Sequence, residues 1–233
     1  MKIFAPLAAA FFLIAAGPAQ TAFAQKRDAA GTFDYYLLSL SWSPTFCAAP
    51  GAAKSEPRQC GVDRNYAFVV HGLWPQFDRG FPENCPTTQP RAVAPAIGDA
   101  MLDMMPSPGL IQHEWQTHGF CSGLTQPAYF KAVRDMRAKV AIPAWYTNIA
   151  QPLSTSADGV RSSFVKANRG LAPDAMAVIC DKARLREVRI CVTKDGVFRS
   201  CGAGVRDQCA AGIVTMPPVR RASAAPLRAK AAP

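Results

Sequence analysis

Eight cysteines, all downstream of an apolar leader, constrain this chain more than any other feature. They are Cys47, Cys60, Cys85, Cys121, Cys180, Cys191, Cys201 and Cys209. The leader, residues 1–24, carries Lys2, a continuous apolar run (FAPLAAAFFLIAAGPA) and then Ala-Phe-Ala at 22–24. That order is the pattern of a secretory signal peptide cut after Ala24. The run is short and broken by Gly17 and Pro18, and no later stretch reaches the length of a membrane span. No cysteine follows it closely, which argues against a lipid anchor. The expected location is secreted or periplasmic. There the thiols oxidise, and an even count implies four disulfides, although spacing alone leaves on the order of a hundred pairings open. No C-x-x-C pair exists, which speaks against a zinc or redox cluster.

The 233 residues are enough for one domain with a substantial core. Residues 25–32 read as a lead into the fold, 33–214 as the domain, and 215–233 as a basic, Pro/Ala-rich disordered tail. FDYYLLSLSWSP reads as a strand that is apolar on both faces and stops at Pro44. A second strand covers 65–71 and ends in the Gly/Pro turn of HGLWP, and residues 76–95 read as loop. AIGDAMLDMM predicts a short helix halted by Pro106 and Pro108. GLIQHEWQTHG predicts a helix over 110–118, with Gly119 as its left-handed cap. Apolar residues at 130, 133, 136 and 140 predict another helix, and a further one covers 158–168. DAMAVICD, LREVRICVTKD and GVFRSC read as three strands. The mixture lacks a regular β-α alternation. It therefore predicts an α+β fold, a central antiparallel β-sheet flanked by helices.

The formal charge is +10, from 26 Lys and Arg against 16 Asp and Glu. Removal of the leader takes away Lys2 alone and leaves +9. Such a surface favours polyanions: nucleic acid, envelope polymers or lipid headgroups.

The chain has three histidines, and all lie in two short segments, His71 in HGLWP and His113 and His118 in HEWQTHG. The second segment is near the helix of a zinc peptidase, which needs histidines at i and i+4. Here they stand at i and i+5, ~140° apart on an α-helix, and do not readily share one metal ion. Glu114 and His118 stand at i and i+4, ~40° apart, on one face. A carboxylate beside an imidazole orients it, so the arrangement is that of an acid/base site with no metal and no cofactor. Two imidazoles suit transphosphorylation of RNA. One takes the 2′-hydroxyl proton and the other gives a proton to the leaving 5′-oxygen. DNA lacks the 2′-hydroxyl and is left uncut. Trp74 is placed to stack on a base, or else fills the core. Gln76 has an amide able to read a base, or is an ordinary loop residue.

FVVHGLWPQ and HEWQTHGFC resemble the two active-site segments of the ribonuclease T2 family, secreted α+β endoribonucleases. LSLSWSPTFC, NCP at 84–86 and EVRIC at 187–191 are also similar to the family's pattern. The resemblance runs from about Phe33 to Cys209. It implies that His71 and His118 are the general acid/base pair, that Glu114 assists at the transition state, that His113 binds the phosphate and that Trp74 belongs to a base site. It further implies cleavage of single-stranded RNA through a 2′,3′-cyclic phosphate, without metal. The expected enzyme is a monomer of low base specificity. The disulfides it implies are Cys47–Cys60, Cys85–Cys121, Cys180–Cys209 and Cys191–Cys201.

One position departs from the family. Thr117 stands where a lysine usually precedes the last histidine. A hydroxyl replaces a full positive charge near the phosphorane, and charge-assisted bonds are roughly twice as strong as neutral ones. Arg79 and Lys131 are candidates to supply a cation instead. The same departure supports an alternative reading, an exported RNA- or polyanion-binding protein with impaired catalysis. A zinc hydrolase is a third reading, disfavoured by the i, i+5 spacing.

Overall fold

In the computed structural model of the chain, residues 29–209 and 212–219 are described. The leader over 1–24, residues 25–28 of the lead and the tail beyond 219 lie outside the described residues.

Strand β1 (Tyr35–Trp42) is the spine. Tyr36, Leu38, Leu40 and Trp42 enter the main core, while Tyr35 and Leu37 join Cys191 in a smaller cluster on the opposite face. This period-2 division is why the strand looks apolar throughout. It pairs antiparallel with β2 (Phe68–Gln76) on one side and with β5 (Arg184–Val192) on the other. The sheet runs β2-β1-β5-β6-β3, with β3 at Leu153–Thr155 and β6 at Val214–Met216. Strand β4 (Met176–Asp181) also pairs antiparallel with β5. The sheet is antiparallel but for one parallel contact, Arg184 with Thr215.

Three expectations are corrected. Strand β2 does not stop at residue 71 but runs through HGLWP to Gln76, paired along β1. Pro75 is tolerated because β2 is an edge strand. GVFRSC is not a strand. It folds back on β5 through Gly196, at φ +78°, with one bridge from Val192 to Phe198, and the Cys191–Cys201 disulfide closes it. Folded structure also continues past residue 214. Met216 is buried in β6, Trp42 Nε1 donates to the Pro217 carbonyl at 3.1 Å, and Val219 N donates to the Ile149 carbonyl at 2.8 Å. The apolar alternation of Val214 and Met216 outweighs the basic, Pro-rich composition that follows.

Helices cover one face of the sheet. Gln126–Ala138 buries Tyr129, Phe130, Val133 and Met136, and Ala157–Ala167 buries Val160 and Phe164. Each such side chain contributes about 1.5–3 kcal/mol on burial. Among the described residues the four disulfides are Cys47–Cys60, Cys85–Cys121, Cys180–Cys209 and Cys191–Cys201, the pairs that the resemblance implies. No helix of the described residues is long and apolar enough to cross a membrane.

Candidate active site

Two local irregularities build the site. The first is a β-bulge. Ser39 pairs with Gly72 and the next residue, Leu40, with Val70, so His71 is an extra residue in β2. Val70 and Leu73, three apart, both reach the main core, so His71 and Gly72 together turn to the other side. Strict alternation would have put one of them in the core; the bulge re-aims the histidine.

The second is a π turn. Ser107 caps a helix, its Oγ accepting from Leu110 N at 3.1 Å, and Pro108 occupies the first turn. The α-helix Pro108–Glu114 passes into a π-helical turn, Trp115–Gly119, and then a last turn, Phe120–Ser122. Gly119 is therefore helical, and the left-handed cap is Gly123 at φ +71°. Gly119 instead makes room, since a Cβ there would strike the buried Trp115 ring. Trp115 Nε1 donates to the Pro90 carbonyl at 2.8 Å and pins the segment. Single-turn π insertions are frequent at functional sites.

Glu114 projects from the end of the α-helical part, with the side chain 1% exposed, between the two imidazoles. His71 Nε2 is 3.8 Å from its Oε1 and His118 Nε2 is 4.0 Å from its Oε2. Trp74 Nε1 donates to Oε2 at 2.7 Å, and the Trp74 ring lies 5.2 Å from each of those histidines. The Cys85–Cys121 disulfide ties the loop after β2 to the end of the helix, and Tyr129 Oη donates to the Leu73 carbonyl at 3.0 Å. His113 stands one turn back, its Nδ1 3.5 Å from Thr117 Oγ1, with both residues toward solvent. Gln76 is not a loop residue. It ends β2, buried, with its amide on the Pro75 carbonyl.

Two cavities flank the pair. One, of about 400 Å³, is lined by Trp74, Gln76, Phe77, Phe81, His118 and Arg189. The other, of about 290 Å³, is lined by Phe46, Gln59, His71, Leu110 and His113 among others. Each has an exposed phenylalanine at its margin, Phe81 or Phe46.

The residue that sequence reasoning missed is Glu187 on β5, 1% exposed. Its Oε1 lies 3.0 Å from His71 Nδ1, and its Oε2 accepts from Ser39 Oγ at 3.2 Å and Arg189 Nε at 2.9 Å. Arg189 also stacks over Trp74, with 5.0 Å from guanidinium carbon to ring centroid. Arg189 and, through Glu187, Arg186 are thus cations brought to the site, while Lys131 is engaged by Asp135 on an exposed helix face. EVRIC is similar to the family's pattern, but its charges alternate with apolar residues as on any half-buried strand and do not single out Glu187.

The titratable groups are pushed apart. Burial raises Glu114 to about 7, against the opposing effects of His71 and the Trp74 hydrogen bond. Burial lowers His118 to about 3, helped by His113 and His71. Burial pushes Glu187 up, but its bond to His71 and the Arg189 guanidinium outweigh that and hold it at about 2. Among the described residues no group of three or more His, Cys, Asp or Glu is arranged to hold a metal ion.

Residues 33–201 match the family model described as Ribonuclease T2 family. The chain belongs to the ribonuclease T2 family. It is 44% identical over 115 residues to a ribonuclease of Aeromonas hydrophila, a match covering 49% of this chain and 50% of that protein. It is 32% identical over 128 residues to a probable ribonuclease of Haemophilus influenzae, covering 50% and 47%. The chain thus spans about half the length of these curated relatives. In fold, it is similar to a ribonuclease-related protein from Calystegia sepium, with TM-score 0.62 at 21% identity, covering 80% of this chain and 98% of that one. The T2 family's α+β fold, with its disulfides, is therefore the fold of this chain.

Proposed function

We propose that this T2 family protein is an exported, metal-independent endoribonuclease that cuts single-stranded RNA through a 2′,3′-cyclic phosphate. The observation that carries the reading is the sharing of one buried carboxylate, Glu114, by His71 and His118. His118, held neutral by burial, takes the proton of the attacking 2′-hydroxyl. His71 bonds to the ionised Glu187 through Nδ1, which supports positive charge on its ring. That leaves Nε2 toward Glu114 and the cleft, where it delivers the proton to the departing 5′-oxygen. The roles reverse when the cyclic phosphate is hydrolysed. Glu114, near 7, carries a proton through the acidic range and donates to a phosphoryl oxygen without placing a second negative charge beside it.

Trp74 is walled in by Glu114, Arg189 and both imidazoles, so only part of its ring faces the 400 Å³ cavity. There it and Phe81 offer apolar surface to a base, and the Gln76 amide adds a polar edge. His113 and Thr117, at the solvent side, are the groups available to a phosphate. The protein acts as a monomer of low base specificity, in the periplasm or outside the cell.

The test is to incubate the oxidised mature protein with a single-stranded RNA and its DNA analogue in excess chelator, and to analyse the ends. The expected result is RNA cut to 2′,3′-cyclic phosphates with DNA intact. His71→Ala or His118→Ala should each slow turnover by about 10²–10⁴-fold. Tight RNA binding without turnover by folded protein would overturn the reading in favour of a binding protein, the outcome that the uncharged Thr117 side chain favours. Loss of activity in chelator would favour a metal enzyme.

A further inference from the structure

Glu187 lies on β5 and His71 on β2, and β1 runs between them. Two inter-strand spacings amount to roughly 10 Å of backbone separation. The contact at 3.0 Å therefore needs special provision, and three features supply it. The intervening strand presents serines, Ser39 and Ser41, where its neighbours on the same face are Tyr35 and Leu37, which clears a path for the carboxylate. Ser39 lends its hydroxyl to Glu187 Oε2. The bulge turns His71 toward the path from the other side.

A buried carboxylate reaching across a strand requires every acceptor position to be filled. His71 and Arg186 Nε occupy Oε1, and Ser39 and Arg189 occupy Oε2. Arg189 is itself held over the Trp74 ring. The guanidinium offsets the charge of Glu187 and fixes its plane, and the plane fixes the imidazole.

We propose that Glu187 is the positioning residue of His71, locking the imidazole in the Nδ1–H form with Nε2 toward the cleft, and that Arg189 is the clamp holding Glu187 in place. The role rests on the reading of His71 as a proton carrier given above. It does not touch substrate. Other charged or titratable groups face His71 too: Glu114 and His118 from the helix, and Glu56 and His113 around the second cavity. Glu187 is the one in hydrogen-bond contact with it.

The experiment reads His71 directly in the full mature protein, without RNA. Long-range ¹H–¹⁵N spectra report the tautomer, and three histidines make assignment tractable. In the native protein neutral His71 should carry its proton on Nδ1. Glu187→Gln should mix the tautomers. Arg189→Met frees Glu187 and should mix them too, while Arg189→Lys keeps a cation there and should stay nearer the native tautomer, a pattern that a generic packing defect does not produce. In RNA cleavage, Glu187→Gln should lower kcat more than it alters KM. An unchanged tautomer in folded Glu187→Gln would overturn the proposal. If that variant does not fold, an unchanged tautomer in Arg189→Met overturns it. Native protein that leaves RNA uncut while its His71 spectra behave as expected would refute only the ribonuclease reading.

Discussion

Gly72, the residue after His71, is glycine for want of space rather than for backbone freedom, and Gly72→Ala tests the packing of the whole site. Its φ is not in the left-handed region, and in an open strand alanine would be favoured by about 0.5–1 kcal/mol. Here a Cβ would collide with Glu114 Oε2 and Trp74 Nε1 and would stand 2.6 Å from Glu114 Cδ. Strand β2 cannot retreat, because both neighbours of Gly72 are committed, Leu73 to the core and His71 to Glu187. Glu114 must therefore swing away, breaking the 2.7 Å bond from Trp74 and leaving its place between the imidazoles. Overpacking costs about 1–3 kcal/mol and the lost buried bond about 1–3 more. Set against the gain from alanine, the net is a loss of about 1–5 kcal/mol, or about 2–20 °C in Tm for a domain of this size. A displacement of this kind in a reacting group costs about 10²-fold in turnover. Calorimetry and RNA cleavage measure the two. Gly98→Ala is the control, since only Val93 Cγ1, at 3.8 Å, lies near its Cβ, and it should leave both unchanged or raise Tm slightly. A Gly72→Ala protein with native Tm and native turnover would refute the argument.

Thr117→Lys returns a cation beside His113 on the solvent side, and should preserve or raise kcat; a large loss in a protein of native Tm would count against a phosphate near residue 117. Replacing Cys85 and Cys121 together by serine should cost about 2–4 kcal/mol and lower kcat while the far-ultraviolet circular dichroism of the sheet persists; native turnover would show that this crosslink does not hold the two segments in register. Glu114 holds its proton more tightly folded, at about 7 against 4.5, so its stabilising contribution is full below about 4.5 and is lost as pH rises through 7. Glu114→Gln should flatten that stretch of the stability curve, measured by urea midpoints, and an unaltered slope would refute the raised value.

Much of the site was legible because its chemistry is concentrated. Three histidines in two segments leave few ways to build an acid/base pair, and the i, i+4 spacing put Glu114 with His118 before any coordinates did. What escaped were the two irregularities. Turn chemistry ends β2 at the histidine because Gly72 and Pro75 read as a turn, yet a bulge and an edge position let the strand continue to Gln76. Period-3.6 reasoning ends the helix at Gly119 because glycine there mimics a cap, whereas that glycine accommodates Trp115 in a π turn. Glu187 escaped for another reason. Its partner is 116 residues away and two strands over, and nothing local in LREVRIC distinguishes a buried glutamate from an outward-facing one.

The two glutamates explain why a site with two similar imidazoles can assign them different work. Both carboxyls are 1% exposed, so burial alone would keep both protonated. Glu187 has two arginines and a histidine at hydrogen-bond distance and stays ionised; Glu114 has, among the described residues, a neutral indole as donor, with both imidazoles near 4 Å, and takes a proton near neutrality. The histidine bonded to the ionised partner can bear charge, and His118 is held uncharged by burial, helped by His113 and His71. Acid and base thus differ by the ionised carboxylate bonded to one imidazole and the burial of the other, and the charge of Glu187 is offset by Arg186 and Arg189. On this logic the missing lysine at position 117 weakens the grip on phosphate but not the division of labour between His71 and His118, because the arginines that offset Glu187 sit on β5.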